Sequence, residues 1–136
     1  ISPGVRCYEP QMIVNGWGRP WCGVNAWAPS RDDSAPWLRL TWEQPRTIRS
    51  IQLTLDTDFD HPMESILMGH PERVMPGCLT AFDLRTVEGE TLATVSENHH
   101  THWRLTLPQP ISTSGIEFSL RVWGPAPPAI FEVRCN

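Results

Sequence analysis

Apolar and polar residues alternate one for one through most of the chain, the period of two that extended backbone imposes on its two faces. Leu38, Leu40 and Trp42 fall on one face of a first segment. Ile51, Leu53 and Leu55 share a face of the next, after an irregularity expected at Arg49 and Ser50. Phe82 and Leu84 alternate with Asp83 and Arg85, and the pair Glu88 and Gly89 reads as a hairpin turn into a strand from Thr91 to Val95. Trp103, Leu105 and Leu107 form another one-faced run, as do Ile116, Phe118, Leu120 and Val122. The chain closes with Phe131, Val133 and Cys135 alternating against Glu132 and Arg134. No window sustains a helical period; the best short candidate is Pro62 to Met68, with Asp60 as N-cap and Gly69 as stop. Fourteen prolines punctuate the chain, and because proline is confined to strand edges, ends and turns, strands are expected in the proline-free windows. The pattern predicts an all-β, antiparallel sandwich.

At 136 residues this fits a single domain over residues 1–136. The formal charge of −4 argues against duplex nucleic acid, whose binders cluster basic residues. Arginine supplies all 11 cations; the absence of lysine removes Schiff-base chemistry. It also leaves no basic amphipathic helix for a membrane surface, and no apolar run approaches the ~20 residues that span a bilayer. The chain begins with Ile and carries no signal-peptide pattern, so an excised domain of a larger protein, or a processed product, is expected. Four cysteines without CxxC spacing suit a secreted or periplasmic setting without requiring one. They allow three pairings. A bridge between Cys7 and Cys135, at the chain ends, would close a long loop worth ~4–5 kcal/mol in the entropic account; four buried thiols are the alternative.

Between Asp56 and Gly77 the alternation gives way to DTDFDHPMESILMGHPERVMPG. A loop this long inside a compact domain is usually functional or disordered, and Ile66, Leu67, Met63, Met68 and Met75 make it too apolar for a solvated linker. Asp56, Asp58 and Asp60 point to one side in extended backbone, as a Ca²⁺ shell would want. The EF-hand spacing is absent, and loop hydrogen bonding or helix capping reads the same residues without a metal. Asp58 or Asp60 with Glu64, and Ser65 with His61 or His70, lack the context of a glycosidase or nucleophile site. His99, His100 and His102 suggest a metal cluster, with His100 and His102 on one face if they lie in a strand; a turn of solvated histidines is the plainer reading. Trp42 and Trp103 alternate into a core. Trp17, Trp21 and Trp27 lie in Gly- and Pro-broken sequence where flat indoles suit sugar rings, though each could equally plug the end of the sandwich, and Trp123 lies on the polar side of its strand.

The run WLRLTWEQPRTIRSIQLTLD from Trp37 to Asp56 resembles the framework of discoidin, or coagulation-factor type C, domains. VNGWGRPW with NAW, Val14 to Trp27, resembles their Asn/Asp-Gly loop followed by Trp, and GIEFSLRVWG with AIFEVRC resembles their last two strands. The resemblance implies a galactose-binding-like jelly roll with adjacent termini, which a bridge from Cys7 to Cys135 would suit. It also implies a structural calcium near Asn15, Gly16 and Glu132, although this chain has Asn at position 15 where an acid is usual. The Asp56-to-Gly77 segment itself looks like one found in C-terminal domains of bacterial FAD-dependent oxidoreductases. This chain has no GxGxxG, so the flavin-binding part would lie upstream.

These readings converge on a non-catalytic carbohydrate-binding module. One or two loop tryptophans among Trp17, Trp21, Trp27 and Trp123 would stack on the glycan. Asp58, Asp60, His61, Arg73 and the turn carrying His100 and His102 would orient it. The alternative is an accessory domain packed on the catalytic part of a flavin oxidoreductase, with the long loop in that interface.

Overall fold

The computed structural model describes residues 8–19, 24–56, 78–124 and 126–136. A short 3-10 helix, Pro10–Val14, precedes five strands: β1 (Trp37–Leu55), β2 (Leu79–Thr86), β3 (Thr91–Val95), β4 (His102–Trp123) and β5 (Ile130–Cys135). All pairings are antiparallel, in the order β3-β2-β4-β1-β5.

The two long strands fold this sheet over on itself. β2 pairs with the C-terminal half of β4, Phe82 opposite Leu120, whereas β5 pairs with the C-terminal half of β1, Leu53 opposite Val133. On a straight strand Leu120 and Trp103 would stand about 55 Å apart at roughly 3.3 Å per residue. Instead the Trp103 ring meets Phe82 edge-on, centroids 5.2 Å apart. Two layers result, β3-β2-β4-β1 and β4-β1-β5. Their inner faces share one core, with Leu38, Phe82, Leu84, Ile116, Phe118 and Leu120 from the first and Ile48, Ile51, Leu53, Leu55 and Val133 from the second. Each large apolar side chain so buried contributes about 1.5–3 kcal/mol, far more than any surface ion pair. The expected antiparallel sandwich is the fold observed.

The strands turn over at register shifts in the β1–β4 ladder, between Thr41 and Arg46 and between Ile48 and Ser50. Pro45 sits in the first shift. Pro108 and Pro110 face the second, since Thr106 pairs with Ser50 and Ile111 with Ile48. A bulged residue needs no ladder N–H, so both strands run through their prolines. This corrects the expectation that strands would stop at proline: segments read as separate are halves of single strands. At the crossing, a Cβ on Gly115 would strike the Leu40 carbonyl oxygen and the Val87 side chain, so glycine is required there. Glu88, in the expected β2–β3 turn, clasps this corner by accepting from Ser114 Oγ and N–H and from Thr113 Oγ1. The Ser114 and Thr113 bonds hold its carboxyl well below the usual range, at about 2.

Two inward assignments change. Shifts between Leu79, Ala81 and Phe82 reverse the alternation at the end of β4, so Val122 is exposed and Trp123 packs against the core. A shift between Thr54 and Leu55 sets Ile130 opposite Leu55 and gives Ile130 the core place expected for Phe131. The segment read as a long loop with a short helix lies outside the described residues from 57 to 77.

Candidate functional site

The outward residues of the β4-β1-β5 layer form a polar grid. Thr54 stands between His102 on β4 and Glu132 on β5, and Gln52 between Arg104 and Arg134. The inward residues Leu53 and Leu55 fix this facing, because a one-residue slip would bury the grid and expose the core.

The N-terminal segment lies against this grid. Ile13 of the 3-10 helix is sunk in the core. The chain then turns at Asn15 and Gly16, the latter at φ +87 where glycine is favoured. Asn15 Oδ1 accepts from the Trp17 N–H (2.9 Å), and Asn15 Nδ2 donates to Asn25 Oδ1 (3.0 Å). Farther on, Trp27 and Ile130 exchange backbone hydrogen bonds of 2.9 Å, anchoring the segment to β5. Gly18 is thereby held over Thr54 and Glu132, and a Cβ added to it would meet Glu132 Oε2 at 3.5 Å. Between loop and sheet opens a cleft of about 320 Å³ lined by Gly18, Gln52, Thr54, His102, Glu132 and Arg134.

Its donors and acceptors are sorted by depth. Arg134 Nε donates to Glu132 Oε1 at 2.9 Å; the Glu132 side chain is 10% exposed and that of Arg134 59%. The acid is thus sunk under the loop while the guanidinium projects. The Thr54 hydroxyl lies 3.4 Å from His102 Nδ1, which orients the ring at the cleft edge. Trp17, next to Gly18, is 48% exposed.

Of the expected site residues, His102 lines this cleft, and Trp17 is the exposed sequence neighbour of the lining residue Gly18. Trp27 does not line the cleft: it is 7% exposed and part of the core, so its assignment as a ligand contact is corrected, the anchoring role having claimed the indole. Trp123 is likewise drawn to the core by the register shift. His100 precedes β4, so the shared strand face with His102 is not formed; its ring lies 4.2 Å from His99, both exposed in a turn shaped by Asn98 and by Glu97 at φ +55. Trp21, Asp58, Asp60, His61 and Arg73 lie outside the described residues. Asp56 follows β1, its N–H donating to the Ala129 carbonyl. Cys7 also lies outside them. Burial pushes the Cys135 thiol up to about 11, and burial, then the Asp56 charge, raise Cys78, so neither is an activated nucleophile. Gln52, Thr54 and Arg134 are not marked as site residues by their spacing, and Glu132 is marked only by the resemblance, because their convergence depends on pairing register.

At the resemblance-implied calcium position the described side chains already have protein partners. The Asn15 amide is committed on both sides, and Glu132 already carries an internal cation in Arg134. A calcium shell needs six to eight oxygens, several of them carboxylate. Among the described residues no group of three or more His, Cys, Asp or Glu converges as a metal site.

No protein-family model and no curated protein sequence matches the chain. Solved structures do. The family 32 carbohydrate-binding module of Streptococcus pneumoniae EndoD superposes with a TM-score of 0.70 at 14% identity, covering 100% of this chain and 90% of that one. The family 32 module of C. perfringens NanJ, solved with galactose, gives 0.66 at 15% identity over 93% and 82%. A fucose-binding module of Streptococcus pneumoniae gives 0.67 at 13% over 95% and 85%. At these identities the likeness establishes the galactose-binding-like sandwich fold. The structures compared are sugar-binding modules, and the likeness to domains of flavin oxidoreductases is not shown.

Proposed function

We propose that this domain is a non-catalytic carbohydrate-binding module and that the cleft beside Trp17 receives the sugar. The observation that carries the reading is a cleft lined by Thr54, Gln52, His102 and Arg134, with Gly18 at its edge, preceded in sequence by the exposed Trp17. An apolar sugar face can rest on the indole while its hydroxyls exchange hydrogen bonds with the floor. The fold shared with modules that bind galactose and fucose supports the same reading. The floor also argues against hydrolysis. Glycosidases commonly set two carboxyl groups across the scissile bond, whereas among the described residues this cleft presents one, already paired with Arg134. An open, shallow site desolvates little of its ligand, so affinity is expected to be weak to moderate.

Affinity gel electrophoresis over a panel of plant, microbial and animal polysaccharides tests this. Retardation by at least one glycan, lost in Trp17→Ala without a change in melting temperature, is the expected result. Unretarded migration on every gel contradicts the proposal.

A further inference from the structure

Resting on that reading, we infer that the cleft selects an anionic sugar, carrying a carboxylate or a sulfate, over a neutral one. The chain as a whole is acidic, with a formal charge of −4, yet among the described residues the accessible charge on this face has the opposite sign. Two arginines, Arg104 and Arg134, flank Gln52 on neighbouring strands. The directly opposite positions of an antiparallel sheet are separated by roughly 5 Å between Cβ atoms, so the guanidinium groups can converge over Gln52. The carboxylate of this grid, Glu132, is nearly closed off from water, whereas Arg134 is more than half exposed and Arg104 is exposed.

The state of the two arginines sharpens the point. Arg134 uses Nε on Glu132, which leaves its two terminal nitrogens to donate. Arg104 has no carboxylate within ion-pair distance among the described residues, unlike Arg39 and Arg121 on the opposite layer. A neutral sugar would offer these guanidinium groups hydroxyl acceptors only, with no charge to meet theirs. A carboxylate or sulfate can accept from their planar N–H groups in the bidentate manner that arginine favours. Burying the acid and displaying the bases makes the face complementary to negative charge, which also steers encounter at low salt.

Titration calorimetry of the full chain with polygalacturonate, a sulfated galactan and a neutral galactan tests the inference. Tighter binding of either anionic polymer than of the neutral one, weakened by added salt, is expected. Arg104→Gln should lower that affinity about five- to tenfold, the range for one charge-assisted contact at an exposed site, and leave the weaker neutral-galactan binding unchanged. Preference for polygalacturonate identifies carboxylate as the source of charge, and preference for the sulfated galactan identifies sulfate. Equal binding of neutral and anionic polymers, or an Arg104→Gln variant that binds the anionic polymer normally, overturns the charge selectivity and leaves the sugar-binding reading standing. Failure to bind any glycan overturns both.

Discussion

The two outer faces of the sandwich are built from the same alternation and end in opposite states. On the β3-β2-β4-β1 layer, register sets Arg39 directly opposite Glu117, and the two are ion-paired. Arg121 reaches Asp83 at 3.0 Å, and the Arg39 guanidinium lies 5.4 Å from the centroid of the exposed Trp37 ring. That face meets much of its own charge, although the exposed Arg85, opposite Glu117, has no ion pair among the described residues. On the β4-β1-β5 layer a neutral glutamine stands between two arginines, and the acid retreats beneath a loop. On the proposed function, that is the face that meets an outside partner. The difference lies in which polar residues pairing brings opposite one another, not in how many charges each strand carries.

The sharpest contrast within the tryptophans concerns Trp27 and Trp17. Trp27→Ala should cost about 3–5 kcal/mol, the usual range for emptying a buried aromatic site, and should loosen the segment that roofs the cleft. Chemical denaturation would measure it; a loss below about 1 kcal/mol would contradict the anchoring role. Trp17→Ala should leave stability within about 0.5 kcal/mol, as surface substitutions do, while removing glycan retention. Next in size is Gly115→Ala, which forces a methyl group into the Leu40 carbonyl at the crossing of β1 and β4. A loss of about 1–3 kcal/mol is expected from such overpacking, read in the same denaturation experiment.

Smaller effects separate the two faces. Glu117→Gln removes the acid opposite Arg39 and should cost no more than about 1 kcal/mol, because exposed pairs are screened. It should leave glycan binding untouched, whereas Arg104→Gln should do the reverse. The Glu88 clasp gives a pH signature. Its folded carboxyl sits at about 2 against an ordinary 4.5, so the native state is favoured where the group is ionised. That stabilisation is complete above about pH 4.5 and drains away as pH falls towards 2. Melting temperature recorded from pH 6 to pH 2 should fall less steeply in Glu88→Gln; identical curves would show that the clasp is not titrating.

Much of the fold was legible because its inner faces carry Ile, Leu and Phe at every second position, and burial punishes any other register. The Glu88–Gly89 turn was legible for local reasons, since its backbone needs φ +103 at Gly89. The continuity of β1 and β4 was not legible: whether a proline ends a strand or sits in a bulge depends on the partner strand, as Pro108 and Pro110 opposite the Ile48–Ser50 shift illustrate. The site was half legible. Trp17 and Trp27 occupy similar Gly- and Pro-broken sequence, and only the bridge from Trp27 to Ile130 decides which indole is anchor and which is display. Glu132 and Arg134 read as ordinary outward residues of a last strand until pairing places Thr54 and Gln52 beside them.

The central claim is that ligand meets the cleft face and not its ion-paired counterpart. Amide chemical-shift mapping by nuclear magnetic resonance during titration with a galacturonate oligosaccharide tests this most directly. Shifts concentrated at Trp17, Gly18, Gln52, Thr54, His102 and Arg134, with Trp37, Arg39 and Glu117 unmoved, are the predicted result. Shifts confined to the Trp37 face, or to neither face, would contradict it.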